Sequence, residues 1–394
     1  MSSIPPQPSS ASTSAQSADD LGLKRSRLRP WLKGAILLAL VLVVGWFVPM
    51  HSYAITPGSA SAVGPMVHIS APGQLKTPTN KHHGQVLMAD VLLSPLNLDQ
   101  WLYFHTNSNA EFVPSEALLG PSGDEEQLIA QGYLQMADSK NAARAAAFSE
   151  LKLSFDAKVV GARIDALSKS GTAQGLLHVG DVVVSANEQR VNSSCGLIRV
   201  IHHASPGTAV KLMVRKAKFS DVGALSYGSA KPVSVTLGEP ASPSGRSLCP
   251  GASGPQRAAL GVSVSNAISY RWPIRVEINT ALIGGPSAGL AMTLQILDEL
   301  SGGAVTHAST VAATGTMAVS GRVGDVGAVR QKAVVVGQAG SRIFLVPKGE
   351  ASAARLGAGS NLRIVEVSSL RQALLALHAT KPLSLSPAWV RAVA

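Results

Sequence analysis

An apolar segment close to the N-terminus limits the topology of the whole chain. It runs from Trp31 to Val48, and from Gly34 onward it carries no charged side chain. A helix of this length just spans the hydrocarbon core of a bilayer, with Trp31 and Trp46 near its two ends. We therefore predict a transmembrane helix at residues 31–49.

The charges on either side of this segment predict its orientation. A dense basic cluster at residues 24–33 precedes or overlaps its start, and on the other side no Lys or Arg occurs before Lys76. By the positive-inside rule, residues 1–30 form a disordered cytoplasmic tail rich in Ser, Pro, Ala and Gln, and the rest of the chain lies outside. The alternative is a cleaved signal peptide, with Ser52-Tyr53-Ala54 as its small-residue site.

The net charge of +11 would suit a nucleic-acid partner. However, the one dense basic cluster flanks the membrane segment, and no basic patch is interleaved with aromatic residues. We therefore expect no nucleic-acid partner. Cys195 and Cys249 are the two cysteines, and they either form one disulfide or remain free thiols.

Two pairs of adjacent histidines, His82-His83 and His202-His203, are the candidate metal ligands. Neighbouring side chains diverge in both strands and helices, and neither pair has a third ligand nearby. We expect no metal. The chain also lacks a Gly-x-x-x-x-Gly-Lys-[Ser/Thr] phosphate loop, so we expect no ATPase activity and no cofactor.

Hydrophobic periodicity and turn residues predict the regular elements after the membrane segment. Residues 55–85 are predicted as largely irregular, because they are rich in Gly, Pro, Ser and Thr, with one short strand at Met66–Ser70. The predicted helices are Leu96–Phe104, Glu125–Leu151 and Cys195–His203. The other predicted strands are Val86–Leu93, Ala157–Leu167, Ala209–Arg215, Pro232–Leu237, Ala258–Val264 and Ile274–Asn279.

The run Gly284–Gly289 combines two glycines, a proline and Ser287 ahead of a helical apolar pattern that stops at Gly302-Gly303. Pro286 suits the first helical position, so Ser287 would lie at a helix N-terminus. Unpaired N–H groups and the positive end of the helix dipole there favour an oxyanion. Ser287 is therefore either a capping residue or a nucleophile.

A serine nucleophile needs a base. Lys332 is the one lysine between Lys231 and Lys348, and it lies in an apolar helical pattern, which favours a neutral amine. His307, the one histidine between His203 and His378, follows a Gly-Gly turn and is better explained as an exposed loop residue. Lys332 is thus the candidate base.

Four motifs in order resemble the proteolytic domain of the Lon family: Gly285–Gly289, Thr314-Gly315-Thr316, Gly321–Lys332 and Ile343–Pro347. The resemblance covers residues 258–378. The chain departs from the ATP-dependent members in lacking an acidic residue at Ile283-Gly284.

It departs again at Thr316, which replaces a glutamate, and in lacking the phosphate loop. The resemblance implies that Ser287 is the nucleophile and Lys332 the general base, and that the Thr314 hydroxyl orients the lysine amine. Backbone N–H groups at Ser287 and just before it would form the oxyanion hole, with Gly285 and Pro286 shaping the turn.

The stretch Gly171–Ser185 resembles a PDZ domain of the bacterial protease type, because a small-residue turn precedes Gly175-Leu176 and Gly180-Asp181-Val182. PDZ domains bind extended C-terminal peptides by strand addition. The resemblance implies a groove between the strand near Val159–Ile164 and the helix near Leu197–His203. We expect peptide contacts there at Val159, Val160, Gly161 and Ala162.

Together these features resemble the membrane-anchored PDZ-containing Lon-like proteases of Gram-positive bacteria (YlbL type). The expected fold is an α+β Lon-type proteolytic domain with an inserted PDZ-like β domain, after one N-terminal transmembrane helix. The expected division is a tail (1–30), a membrane helix (31–49), a first Lon-type part (54–152), a PDZ domain (154–238), a linker (239–256) and a second Lon-type part (257–380).

The resemblance predicts an ATP-independent serine endopeptidase that cleaves extracytoplasmic polypeptides, with the PDZ domain selecting them. Lon-type domains tend to form hexameric rings, so a homo-oligomer is expected. The alternative is a non-catalytic scaffold in which the PDZ domain captures partner C-termini at the membrane.

Overall fold

The computed structural model describes residues 29–71, 84–120, 123–221, 223–240, 249–252 and 256–393. The predicted tail, except for its last two residues, lies outside this set. His82-His83 and most of the predicted linker 239–256 also lie outside it.

The described residues form helices and strands that alternate irregularly along the chain. The helices are α1 (Pro30–Phe47), α2 (Leu98–His105), α3 (Ser115–Leu119), α4 (Glu125–Glu150), α5 (Ser194–His202), α6 (Gly289–Ser301), α7 (Val329–Gln338), α8 (Ala351–Gly357), α9 (Leu370–Ala376) and α10 (Pro387–Val393). The strands are β1 (Pro49–Ala62), β2 (Val67–Ser70), β3 (Gln85–Asn97), β4 (Glu111–Pro114), β5 (Asp156–Leu167), β6 (Val182–Ala186), β7 (Gln189–Arg190), β8 (Ala209–Phe219), β9 (Leu225–Thr236), β10 (Val262–Arg271), β11 (Arg275–Ile278), β12 (Thr310–Ala313), β13 (Thr316–Met317), β14 (Val323–Gly324), β15 (Ile343–Pro347) and β16 (Arg363–Val367).

The apolar segment near the N-terminus forms helix α1, as the sequence predicts. Its mean hydropathy is 1.9, and Gly45 is its one buried residue in the described structure. Length and composition are sufficient for a membrane span, and a signal sequence at the same place would meet the same criteria.

The first sheet has the strand order β16-β15-β12-β3-β1-β4. β12 pairs in parallel with β15 on one side and with β3 on the other, where Val311 lies opposite Val86. Strands from before residue 154 and after residue 257 therefore share one sheet. This is the pairing that the hypothesis of a split proteolytic domain requires, although its exact bounds remain a proposal.

The second sheet has the order β10-β5-β6-β8-β9 and lies in the sequence between the two halves of the first. Its core is apolar and includes Ile164, Val183, Leu197 and Leu212. Strand β10 belongs to this sheet although it lies beyond the predicted PDZ bounds of 154–238. It pairs with β5 along its whole length, from Val262 to Arg271.

Strand β1 corrects the prediction that residues 55–85 are largely irregular. It extends over Pro49–Ala62 and pairs with both β3 and β4, with a register shift after Pro57. The neighbouring strands supply hydrogen-bond partners that outweigh the weak strand propensity of Gly, Pro and Ser. Strand β3 likewise continues past its predicted end at Ser94-Pro95 to Asn97.

The two faces of the first sheet bury different helices. Val86, Val311 and Leu345 pack in the cluster that contains α6, whereas Leu87 and Phe344 pack in the cluster that contains α7. Successive strand residues point to opposite faces of a sheet. Helices α6 and α7 therefore cover opposite faces.

Cys195 and Cys249 form a disulfide, which resolves the alternative left open by the sequence. The bridge fastens residues 249–252 to α5, where Arg199 Nη1 also donates to Pro250 O at 3.2 Å and His203 Nε2 lies 3.1 Å from Gly251 O. Cross-linking positions this far apart in sequence restricts the unfolded chain.

We expect the double variant Cys195→Ser/Cys249→Ser to be less stable than the wild type by about 2–4 kcal/mol. The measurement is urea unfolding of the detergent-solubilised chain with and without reductant. Reductant should destabilise the wild type and leave the double variant unchanged. Equal unfolding midpoints for all four samples would contradict the expected contribution of the bridge.

Candidate active site

Ser287 lies in a turn ahead of α6, which we call the Ser287 turn (Gly284–Gly289). Helix α6 begins at Gly289 with Ala288 as its N-cap. The prediction that Pro286 is the first helical residue is therefore wrong. The Gly289 N–H donates to Pro286 O at 3.3 Å and closes a turn that precedes the helix. Gly285 has a φ of +88°, which favours glycine.

Helix α4 holds one side of the Ser287 turn. The Gly285 N–H donates to Gly132 O at 2.8 Å, and the Ser139 hydroxyl donates to Pro286 O at 3.0 Å. A Cβ on Gly284 would lie 3.2 Å from the Gly132 carbonyl carbon, so the two backbones pack closely. The sequence signal for this contact was the isolated Gly132 within a helical pattern, which indicates a packing requirement.

The end of β12 holds the other side of the turn. The Gly315 N–H donates to Ser287 O at 2.9 Å, and the Thr314 hydroxyl donates to the same oxygen at 3.3 Å. Leu290 N–H then donates to Gly315 O at 3.1 Å. Thr314 therefore contacts the backbone of Ser287, and its predicted role toward the lysine amine remains a prediction.

These contacts bear on the oxyanion hole, whose donors were predicted as the N–H groups at Ser287 and just before it. Pro286, just before Ser287, has no N–H, and the Gly285 N–H is already bonded to Gly132. Among the described contacts of residues 285–287, only the Ser287 N–H has no backbone acceptor. In the described structure Gly285 and Pro286 shape the turn, and neither has an unbonded N–H.

Lys332 lies in the first half of α7, with 3% of its surface exposed. Burial lowers the pKa of Lys332 to about 8, and the carboxylates of Glu350 and Asp90 oppose that shift. An apolar setting disfavours the ammonium form. A buried lysine of this kind is neutral in a substantial fraction of molecules near pH 8.

Thr314, which binds the Ser287 backbone, and the two carboxylates that act on Lys332 lie at the carboxyl ends of neighbouring parallel strands of the first sheet. Thr314, bonded to Ser287, follows Ala313, which pairs with Leu345. Glu350 follows the end of β15, and Asp90 lies in β3 beyond the residues that pair with β12. The carboxylates of Glu350 and Asp90, and with them Lys332, therefore lie at the same carboxyl end of the sheet as Thr314. No hydrogen bond joins Lys332 to Ser287 or Thr314 among these described residues.

Glu350 is a site neighbour that sequence reasoning missed. Its Oε1 accepts from Val326 N at 2.8 Å, and its Oε2 is buried without a partner in the described structure. Burial raises the pKa of this carboxyl. Only the fold brings Glu350 close to Lys332, because they belong to different helical segments.

The predicted PDZ contacts need a correction. Val159, Val160, Gly161 and Ala162 lie in β5, and the strand edge that would receive a peptide is already paired with β10. A strand edge bonds one neighbour, so a peptide cannot add there while β10 is present.

The unpaired edge of the second sheet nearest α5 therefore belongs to β10. Asn266 Oδ1 accepts from the backbone N–H and the hydroxyl of Ser194 in α5, at 2.9 and 3.0 Å. The second sheet ends at β10 in the described part of the chain. The strand-and-helix pair expected to hold a peptide is thus β10 and α5.

The histidines considered as a base or as metal ligands are His307 and the pair His202-His203. His307 is exposed in a loop with a φ of +47°, as expected from the sequence. His202 is buried, and its ring lies edge-on to that of His203. No group of three His, Cys, Asp or Glu side chains suited to a metal occurs among the described residues.

We expect Lys332→Met to be more stable than the wild type at pH 7, by on the order of 2 kcal/mol. The folded pKa of about 8 lies below the ordinary value of 10.5, so the unfolded chain binds more protons between these values. Wild-type stability should therefore rise from pH 8 to 10.5, and that rise should be smaller in the variant, in which Lys140 still has a comparably lowered pKa.

The measurement is thermal unfolding at pH 7 and pH 9.5. Lys381→Met, at an exposed lysine, is the matched control and should behave as the wild type. A Lys332→Met protein no more stable than the wild type at pH 7 would contradict the low pKa.

Comparisons with known proteins agree with both expected domains. The model of the PDZ domain matches residues 146–222, and the model of the Lon protease (S16) C-terminal proteolytic domain matches residues 275–371. No curated protein matches the chain.

Solved structures similar to part of the chain include two PDZ domains of SdrC-like proteins. That from Listeria monocytogenes is 15% identical, covers 27% of this chain and 87% of its own, and has a TM-score of 0.19. That from Listeria innocua is 19% identical, covers 26% and 92%, and has a TM-score of 0.18.

The two matched domains imply a serine peptidase that acts on polypeptides. The fold is a mixed α/β structure with one N-terminal apolar helix. The chain carries a PDZ domain together with a Lon-type proteolytic domain, and so matches a PDZ-containing Lon-like protease.

Proposed function

We propose that this protein is an ATP-independent serine endopeptidase, with Ser287 as the nucleophile and Lys332 as the general base. One observation carries the proposal. A buried lysine with a pKa of about 8 lies at the carboxyl ends of the parallel strands of the first sheet, where Thr314 binds the Ser287 backbone. A general base is most effective when its pKa is near the working pH.

The proposed reaction is acyl transfer. The Ser287 hydroxyl attacks the peptide carbonyl carbon while the neutral Lys332 amine accepts its proton, and the Ser287 N–H stabilises the oxyanion. The C–N bond then breaks, and the Lys332 ammonium protonates the leaving amine. Water, deprotonated by Lys332, hydrolyses the acyl-enzyme and restores Ser287. Hydrogen bonds in an unliganded site often tighten only when substrate binds.

We further propose that α1 is a retained membrane anchor with the catalytic part outside the cytoplasm. The alternative cleavage after Ala54 would remove Ser52, Tyr53 and Ala54, three of the four β1 residues that pair with β4. The Cys195–Cys249 disulfide also suits an oxidising, extracytoplasmic compartment.

The PDZ domain is proposed to select substrates by adding an extended peptide to the β10 edge beside α5. Assembly into a hexameric ring is a further expectation, drawn only from the resemblance to Lon-type domains. Sedimentation of the detergent-solubilised protein would test it.

We expect casein cleavage by the wild type and by Lys381→Ala, and a loss of at least about a thousandfold in Ser287→Ala and Lys332→Ala. A fluorophosphonate probe should label the wild type and not Ser287→Ala. Equal cleavage by all four proteins would rule out the dyad. Peptide binding without any labelling or cleavage would favour the scaffold alternative.

The pKa of Lys332 should set how the rate of peptide cleavage rises with pH. Only the neutral amine accepts a proton, and with a pKa of about 8 it makes up about a tenth of the molecules at pH 7. We expect kcat/KM for a fluorogenic peptide to rise roughly tenfold from pH 7 and level off above pH 9. A profile that is flat between pH 7 and 9 would exclude Lys332 as the base.

A further inference from the structure

A cavity of about 880 Å³ lies between the second sheet and helix α4. Its walls include residues of α4, β9, β10, β11 and β13, among them Lys140, Arg144, Asn266, Ile278 and Met317. A volume of this size lies within the range of about 300–1,000 Å³ that is typical of ligand pockets.

The lining of the cavity indicates two strand edges. Consecutive residues of β10, from Ser265 to Ile268, line it, as do Glu277 and Ile278 of β11. Successive residues point to opposite faces of a strand, so a surface that touches all of them lies along the edge. In the described structure β10 pairs only with β5, and β11 only with β2. Two open strand edges suit an extended polypeptide.

The cavity wall carries positive charge without a dedicated counter-ion. Lys140 is 5% exposed, and its Nζ has one hydrogen bond, to Gly223 O at 3.4 Å. Arg144 donates to Asn141 Oδ1 at 2.8 Å, and its Nε is buried without a partner. Neither side chain makes an ion pair with a described residue.

The acidic side chains of the wall are already paired. Asp138 accepts two hydrogen bonds from Arg163, at 2.7 and 2.8 Å. Glu277 faces Arg144 but is hydrogen-bonded to Arg275. Burial lowers the pKa of Lys140 to about 8, and the nearby positive charge of Arg144 contributes to that shift. An arriving carboxylate would supply the missing partner.

The cavity adjoins the Ser287 turn. Ser139, next to Lys140 in α4, donates to Pro286 O. Met317 lines the cavity, and its nitrogen lies 2.8 Å from where a Cβ on Gly289 would stand. A polypeptide in the cavity would therefore lie beside the residues that hold Ser287.

We propose that this cavity binds extended polypeptides that carry an acidic side chain, with Lys140 and Arg144 holding the carboxylate. The inference rests on the proposed function for what happens to the bound chain, and it specifies the class of substrate. Charge-assisted hydrogen bonds to a buried cation are strong enough to give selectivity.

The test uses full-length Ser287→Ala protein in detergent, so that binding is measured without cleavage. The probes are two fluorescein-labelled decapeptides of alternating Ala and Val, one with a central Glu and one with a central Gln. Fluorescence anisotropy should show the Glu peptide binding about tenfold more tightly. Adding Lys140→Gln should reduce this preference to about twofold or less, whereas adding Lys211→Gln, at an exposed lysine of β8, should leave it intact.

Equal binding of the two peptides, or an unchanged preference in the Lys140→Gln protein, would overturn the proposal. If Lys140→Gln does not fold, Arg144→Gln is the second variant, with the same expected loss and thermal unfolding as a check. A Glu preference in a protein whose wild type never cleaves casein would uphold the site while refuting the proposed peptidase. Casein cleavage by the wild type without a Glu preference in binding would uphold the proposed peptidase and refute the acidic-peptide site.

Discussion

The pairing of β3 with β12 is the interaction on which the rest of the structure depends. Val86 and Val311 are far apart in sequence, yet they lie side by side at the centre of the first sheet. Each strand presents apolar residues to both faces, so α6 can pack on one face and α7 on the other. The pairing also brings Asp90 of β3 to the carboxyl ends of β12 and β15, where its carboxylate acts on Lys332.

Helix α4 connects the second sheet to the Ser287 turn through adjacent residues. Asp138 binds the Arg163 guanidinium of β5 through two hydrogen bonds, and Ser139 binds Pro286 O. The two-pronged Arg–carboxylate pair restricts orientation as well as distance. One turn of α4 is therefore in contact with both the second sheet and the Ser287 turn.

The sequence was most informative where local chemistry decides the conformation. Helix α6 ends at Ser301 with Gly302 as its C-cap at a φ of +76°, as the Gly302-Gly303 stop predicts, and the Ile343–Pro347 motif forms β15. The start of α6 was misplaced, because Pro286 suits a turn as well as a first helical position. Strand β1 was missed because its pairing with β3 and β4 outweighs composition. The contacts at Val159–Ala162 were misassigned because a distant segment, β10, covers that edge.

What the sequence determined by itself is the set of reactive groups and their local settings: the Ser287 turn, a lone lysine in an apolar helix, an apolar N-terminal helix and two cysteines. The tertiary structure decided which strand edges stay open, which N–H groups remain for an oxyanion, and which carboxylates face Lys332. It also decided that Lys140 and Arg144 line a cavity without counter-ions. The physical reason is that backbone conformation depends on near neighbours in sequence, whereas hydrogen-bond partners and pKa values depend on burial by segments that are distant in sequence.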